Sequence, residues 1–448
     1  MKRAICVTLM VLAVCMGINA DISGAWSGTL NLGQMKMRVV FHFTREGDGY
    51  RFSMDSPDQG AKGIPGEIAY LAEDSVSVKV GMAKISYAGK VEADSIKGVF
   101  EQHGHRFPLN FKRGDVEISR PQTPQPPFDY RTEEVSIAND DIKIAGTITY
   151  PVGYDGKEKV PAMLLINGSG QQNRDEELFG HKPFAVIADY LARNGIATLR
   201  CDDRGVGGTS GNANAITIQS NAADALAEVK YLRDSGKFSA VGAIGHSEGG
   251  TIAFMLAQQG AVDCIVSMAG SMVDGVSQLI NQNHVLLTLN GIEGVDEYCA
   301  ALEPVLKYIS THSPCIDAER QLEEILDEND LTLKRQLKPA LVEILSRDMG
   351  TWLRSFLLYN PAEVIASTKC PVMAINGETD TQVDYILNLE SLRLALPGNR
   401  KDLIKTYPGL NHLFQPCKTG LTTEYGSIET TISPEVLADI VSWLKGVL

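Results

Sequence analysis

The stretch AVGAIGHSEGGTIAFMLAQQ, residues 240–259, sets Ser247 between two glycines in the pattern G-x-S-x-G. The apolar run before it reads as a buried strand and TIAFMLAQ after it as a helix. In strand–turn–helix context the pattern predicts a nucleophile. The sharp turn lifts the hydroxyl above the sheet edge, and Gly245 and Gly249 let neighbouring chain pass close by. The helix N-terminus behind the turn favours negative charge as it develops. A phosphate-binding loop is the competing reading, but no lysine follows these glycines.

A serine hydroxyl is a poor nucleophile until a base takes its proton. AINGETDTQV (374–383) ends an apolar run in a loop carboxylate, Asp380, and TYPGLNHLF (406–414) offers His412. The chain order Ser247, Asp380, His412 is the nucleophile–acid–histidine order of one large class of acyl hydrolases. Glu378 is a rival acid two residues before Asp380, with a solvated loop carboxylate as its plainer role. Asp202 and Asp203 in CDDRGVGG are expected to make ion pairs and turn contacts with Arg204. His246 flanks the nucleophile with its side chain turned away, which predicts a packing role. His181, His284 and His312 read as surface or structurally bonded histidines that could line a pocket. His42, His103 and His105 lie in an N-terminal β-rich region, where HGH alone is weak evidence for a metal.

The elements that must position these residues follow from periodicity. Residues 21–115 carry short alternating runs such as MKMRVVFHF (35–43), SVSVKV (75–80), KISYAGKVE (84–92) and SIKGVFEQ (95–102). Such spacing predicts a small antiparallel β-barrel or sandwich. RPQTPQPPFDY (120–130) contains Pro121, Pro124, Pro126 and Pro127, so residues 116–130 read as a semi-rigid linker. From 131 onward apolar strands alternate with amphipathic helices: AMLLING, KPFAVIADYLARNG, IATLRCDDRG, SNAADALAEVKYLRDS, AVGAIGHS, CIVSMAG, PVMAINGETD and LIKTYPG. This predicts an α/β fold whose mostly parallel sheet carries helices on both faces. The alternation breaks at about 273–361 into consecutive helices, which predicts an inserted helical cap. No internal repeat is present.

In the ordered motifs LLINGSG, DDRGVGGTS, GHSEGG, GETDTQV and GLNH, residues 131–448 resemble the α/β-hydrolase superfamily. More narrowly they resemble bacterial carboxylesterases and serine aminopeptidase-like hydrolases. The resemblance implies an acyl hydrolase with Ser247 as nucleophile, His412 as base and Asp380 as its orienting acid. Two backbone N–H groups would hold the oxyanion: that of Glu248, after the nucleophile, and by the resemblance that of Ser169 in the NGSG loop, with Gly170 beside it. The family often has histidine before that glycine, where this chain has Asn167. Arg174 and Asp175 in QQNRDE resemble a common RD element, whose expected role is local pairing that fixes the loop.

The 448 residues carry a net charge of −14 and no basic stripe, which disfavours nucleic acid and anionic membranes as partners. MKRAICVTLMVLAVCMGINA reads as a secretory signal, with Lys2 and Arg3 ahead of an apolar run too short for a confident membrane span. Cleavage is expected after Ala20, which predicts a periplasmic or secreted protein. Lipidation at Cys15 is disfavoured because valine stands where a small residue is needed. Cys201 and Cys264 read as buried thiols, while Cys299 and Cys315 could form a bridge. No C-x-x-C or Cys/His cluster occurs, so neither metal nor cofactor is expected. The composite expectation is an exported serine hydrolase cleaving small-molecule carboxylic esters. The alternatives are a serine aminopeptidase acting on short peptides or aminoacyl amides, and a non-catalytic binding protein on a hydrolase scaffold. For the β-domain, the roles of ligand carrier, cap support and homo-oligomer contact compete. A barrel this small is usually filled by its own side chains, which makes structural support the expected one.

Overall fold

The computed structural model describes residues 21–32, 35–47, 49–72, 74–115 and 119–448. The segment read as a signal, with Cys15 and Ala20, lies outside the described residues, as do residues 116–118 of the expected linker. The chain divides into two compact units, Met1–Ile118 and Ser119–Leu448.

In the first unit, eight antiparallel strands close into a barrel: β1 (Gly24–Leu32), β2 (Met35–Glu46), β3 (Gly49–Ser56), β4 (Ala61–Ala72), β5 (Ser75–Val80), β6 (Ile85–Glu92), β7 (Ser95–Gln102) and β8 (His105–Arg113). Of the two architectures expected, the barrel forms, because β8 pairs back onto β1 through Ser27–Lys112 and Gly28–Phe111. Alternation drives one face inward, as with Val76, Val78 and Val80 of β5, all buried. The interior is filled with aromatic rings. Phe41 stacks on Phe111 at 4.2 Å between centroids and meets Phe52 and Tyr87 edge-on at 5.1 and 5.3 Å. The buried Tyr87 hydroxyl donates to the Leu109 carbonyl at 3.1 Å, so its polar tip is satisfied.

The second unit is built on an eight-stranded sheet of order β16-β15-β14-β13-β11-β12-β10-β9. Its strands are β9 (Thr132–Asn139), β10 (Ile142–Thr149), β11 (Val160–Ile166), β12 (Ala197–Cys201), β13 (Phe238–His246), β14 (Ile265–Met268), β15 (Val372–Gly377) and β16 (Leu403–Tyr407). β9 and β10 form an antiparallel hairpin, and β10 also runs antiparallel to β12; the remaining pairings are parallel. Strand β11 shows why the apolar runs are continuous. Ala162, Leu164 and Ile166 enter the core on one face, whereas Met163 and Leu165 enter that on the other. The first face is covered by α2 (Ile218–Asp234), α3 (Glu248–Gln258), α9 (Ala362–Ala366) and α10 (Tyr385–Ala395), and the second by α1 (Pro183–Ala192) and α12 (Pro434–Val447). A single turn, α11 (Thr422–Tyr425), precedes α12.

Between β14 and β15 the cap comprises α4 (Gly275–Leu289), α5 (Val295–Thr311), α6 (Ala318–Glu328), α7 (Lys338–Ser346) and α8 (Gly350–Leu357). It has its own core, in which Leu302, Val305, Leu322, Leu341 and Leu345 meet. Cys299 and Cys315 are free thiols rather than a bridge. Their sulfurs turn to different partners, the Ile280 carbonyl at 3.9 Å and the Tyr308 hydroxyl at 3.7 Å.

The proline-rich stretch is more than a spacer. Arg120 donates to the carbonyls of Ile428 and Gly426 at 2.8 and 2.9 Å, and Gln122 accepts from Thr431 N–H at 2.6 Å. These bonds tie residues 119–130 into the second unit.

Candidate active site

The sheet order puts β13 at the centre, between β11 and β14. At its carboxyl end the chain turns sharply into α3. Ser247 stands at the turn with φ 53° and ψ −119°, a conformation that L-residues hold only when their surroundings enforce it. Its N–H donates to the Met268 carbonyl at 2.9 Å, which pins the turn to the end of β14. A Cβ at Gly245 would lie 1.9 Å from the Gly249 carbonyl oxygen, and one at Gly249 would lie 2.1 Å from that of Ile166. Both glycines are therefore required by close backbone approach. Ser247 occupies the N-cap position of α3, yet its side chain does not cap the helix. Its hydroxyl remains available to the cavity it lines.

Asp380 lies in the loop after β15. One carboxylate oxygen accepts the N–H groups of Gln382 and Val383 at 2.8 and 2.9 Å. The other accepts from His412 Nδ1 at 2.7 Å. Both partners are nearly sealed from solvent, at 6% and 4% exposure. Because the carboxylate only accepts, Nδ1 carries a hydrogen, and in the neutral ring it is Nε2 that holds the lone pair. Glu378 points elsewhere: it is exposed and accepts from the Thr406 hydroxyl at 2.7 Å.

A cavity of about 90 Å³ opens on Ser247, lined also by Ser169, Glu248, Gln278, Trp352 and Phe356. Glu248 is the first residue of α3, a position whose N–H has no partner inside the helix. In the neighbouring loop the Gly168 N–H is already taken by Glu176 at 2.8 Å. The Glu248 side chain is buried. It accepts from Asn221 Nδ2 at 3.0 Å and, on its other oxygen, from the indole N–H of Trp352 in the cap. Burial raises its pKa above the ordinary carboxylate range, against the pull of those two donors.

The surrounding loops are fixed by charges that differ from the sequence-based expectation. Asp202 pairs with Arg174 at 2.7 Å rather than with Arg204, and it also accepts the Gly208 N–H at 3.0 Å. Arg204 instead pairs with Asp224, and Asp175 with Arg200. Consecutive loop residues project to different sides, so neighbours in sequence find partners from other elements. Asn167, which stands where the family often has histidine, donates to Asp203 at 2.8 Å and to the Cys201 carbonyl at 3.3 Å. That holds its loop to the end of β12. Burial pushes the Asp203 carboxyl up to about 7.

The remaining histidines are structural or peripheral. His181 is buried between Thr431 Oγ1 at 2.9 Å and the Tyr425 carbonyl at 3.0 Å, and burial lowers its pKa to about 4. His284 meets Asp296 at 3.1 Å, His312 stacks on Tyr308, and His42 bonds Asp55 at 2.8 Å. His103 and His105 are exposed. Among the described residues, no group of three or more His, Cys, Asp or Glu side chains is arranged to hold a metal ion. His246 does more than pack. Its ring bonds Glu176 and the backbone carbonyl of His412 at 2.8 and 3.0 Å. No spacing rule links residues 176, 246 and 412; only the sheet order brings them together.

The strand order, the strained serine turn after the central strand and the helical insertion before the acid-bearing strand define the α/β-hydrolase fold. Residues 161–302 match the family model described as alpha/beta hydrolase fold. Among characterised relatives, esterase EstD of Thermotoga maritima is 26% identical over 255 residues, covering 54% of this chain. The aligned part spans 61% of that relative's length. Among solved structures, ferulic acid-bound Est1E from Butyrivibrio proteoclasticus aligns at 16% identity and a TM-score of 0.44, over 69% of this chain and 99% of that one. Dienelactone hydrolase from Anabaena variabilis aligns at 16% identity and a TM-score of 0.39, over 72% and 100% respectively.

Proposed function

We propose that the chain is a serine esterase that forms an acyl-enzyme on Ser247, with His412 as base and Asp380 as the acid that orients it. The observation that carries this reading is the buried 2.7 Å bond from His412 Nδ1 to Asp380, with the His412 carbonyl held at 3.0 Å by His246, the residue before the strained Ser247. In the cycle, Ser247 Oγ attacks the ester carbonyl carbon while its proton passes to His412 Nε2. The C–O bond to the alcohol then breaks as His412 protonates the leaving oxygen. Water next attacks the acyl-enzyme, giving a proton to His412, and the carboxylic acid leaves as the proton returns to Ser247. The N–H groups of Glu248 and Ser169 are the proposed oxyanion donors, each worth about 3–4 kcal/mol of barrier in comparable sites.

Ester is favoured over peptide by the state of Glu248. An aminopeptidase needs an ionised carboxylate free to meet the substrate's ammonium group. Glu248 is the one acid among the residues lining the cavity. Both its oxygens are already engaged by Asn221 and Trp352, and burial favours its neutral form. A cavity of about 90 Å³ beside Ser247 also suits a short acyl group. Short-chain nitrophenyl esters are therefore expected to turn over faster than amino-acid nitroanilides, with activity declining from acetyl to octanoyl. A preference for the anilides would return the assignment to an aminopeptidase.

The proposal includes export. Lys2, Arg3 and the apolar run to Met16 are the features that support it. Sequencing of the purified native protein from its N-terminus is expected to begin at Asp21. A chain that retains Met1 would overturn this.

A further inference from the structure

Beside the Asp380–His412 pair lies a second carboxylate–imidazole pair that the catalytic cycle does not use. Glu176 Oε1 accepts the Gly168 N–H and also meets His246 Nδ1, each at 2.8 Å. His246 Nε2 meets the backbone carbonyl of His412 at 3.0 Å. The two imidazole rings stand 4.7 Å apart between centroids. Glu176 and His246 are both buried.

The partners place one of the protons outright. A carbonyl oxygen only accepts, so Nε2 of His246 must carry a hydrogen. Glu176 Oε1 already accepts from Gly168, and its second lone pair is filled if Nδ1 donates as well. With Nδ1 donating too, His246 is an imidazolium held against a carboxylate whose other oxygen is buried without a partner; with that proton on Glu176 instead, both groups are neutral. Burial opposes the charged ring, but the charge and hydrogen bond of Glu176 outweigh it and raise the pKa of His246 above its ordinary value.

We propose that Glu176 and His246 form a buried ion pair that positions three loops of the proposed active site. Glu176 holds Gly168, the residue directly before the proposed oxyanion donor Ser169. A Cβ at Gly168 would lie 3.3 Å from that of Ser247, so this loop is packed onto the nucleophile turn. His246 is the residue before Ser247, and its far nitrogen holds the backbone of His412. One pair of side chains thus sets the oxyanion loop, the nucleophile and the base relative to one another. Both are positioning residues. The inference rests on the esterase reading of Ser247, Asp380 and His412.

Glu176→Gln is the informative variant, because an amide cannot replace this carboxylate. With its oxygen toward Gly168, it faces a neutral His246 Nδ1 lone pair; with its NH2 toward Nδ1, it faces the Gly168 N–H. One of the two bonds must fail unless the ring keeps its charge without a counter-ion. We expect kcat for a short-chain nitrophenyl ester to fall on the order of 10²-fold with KM little changed, the pattern of a misplaced catalytic group. A variant kcat within threefold of wild type overturns the positioning role, as does a loss confined to KM. Nitrogen NMR of histidine-labelled wild-type protein tests the charge without any variant or activity. One imidazole is expected to keep both ring hydrogens at pH values well above the ordinary histidine pKa of about 6.5. If every ring is neutral there, the ion pair is refuted. Ser247→Ala measured in parallel separates the two ideas. Wild-type activity no greater than that variant's defeats the esterase reading, while the spectrum still decides the pair.

Discussion

Ser247→Ala protein is expected to fold normally and to hydrolyse nitrophenyl esters on the order of 10⁶-fold more slowly than wild type in kcat, the scale seen when a serine hydrolase loses its nucleophile. The expectation of intact stability is specific to this site. Serine at a helix N-cap normally accepts a backbone hydrogen bond, and its loss costs about 1 kcal/mol. Here the side chain makes no such bond. The strained backbone, φ 53° and ψ −119°, is enforced by the Met268 carbonyl and by the close passage at Gly245 and Gly249, none of which depends on the hydroxyl. Thermal unfolding of the variant should match wild type while activity disappears. Equal activity in the two proteins would sink the enzyme reading and leave a binding protein on a hydrolase scaffold.

Asp380→Asn should cost about 10⁴-fold in kcat, whereas Glu378→Gln should leave turnover near wild type. The first effect follows from the backbone around Asp380. Gln382 and Val383 both donate to one oxygen, so an amide side chain must present its own oxygen to them. Its NH2 group then faces His412 Nδ1 and donates to it. That moves the ring hydrogen to Nε2, the nitrogen that has to accept the proton of Ser247. The base is held in place in the wrong tautomer. Glu378→Gln removes only an exposed bond from Thr406. Steady-state kinetics on both variants decides between the two acids, and a reversal of the two effects would overturn the assignment of Asp380.

What was legible in the sequence was local. Strand, glycine-bounded serine and helix occupy consecutive residues, so their steric logic can be read along the chain. Asp380 and His412 each follow an apolar run, and topology alone carries such loops to the same sheet edge. The helical cap shows as a break in alternation. What the sequence did not disclose depends on which strands become neighbours. Glu176 meets His246 because β11 pairs with β13, and no pattern in QQNRDE announces it. The Arg174–Asp202 pair is hidden for the same reason: adjacency in sequence points Asp202 to Arg204 and Arg174 to local pairing, while adjacency in the sheet supplies each with a partner from another loop. The partners of the Glu248 side chain, Asn221 and Trp352, come from elements far from it in sequence.

That contact bears on how such a protein can change its diet. The cap lies between β14 and β15 and has its own core, so its helices can vary without disturbing the sheet. Trp352 belongs to the insertion, yet its indole N–H serves a buried acid in the residue next to Ser247. A replacement insertion inherits that obligation. It must deliver a donor to the same point, or leave an unsatisfied carboxyl oxygen beside Ser247 at a typical cost of about 1–3 kcal/mol. The insertion is therefore tied to the rest of the molecule at the site itself, beside its bonds from Thr351 to the Ile216 carbonyl and from the Ile218 N–H to Ser355.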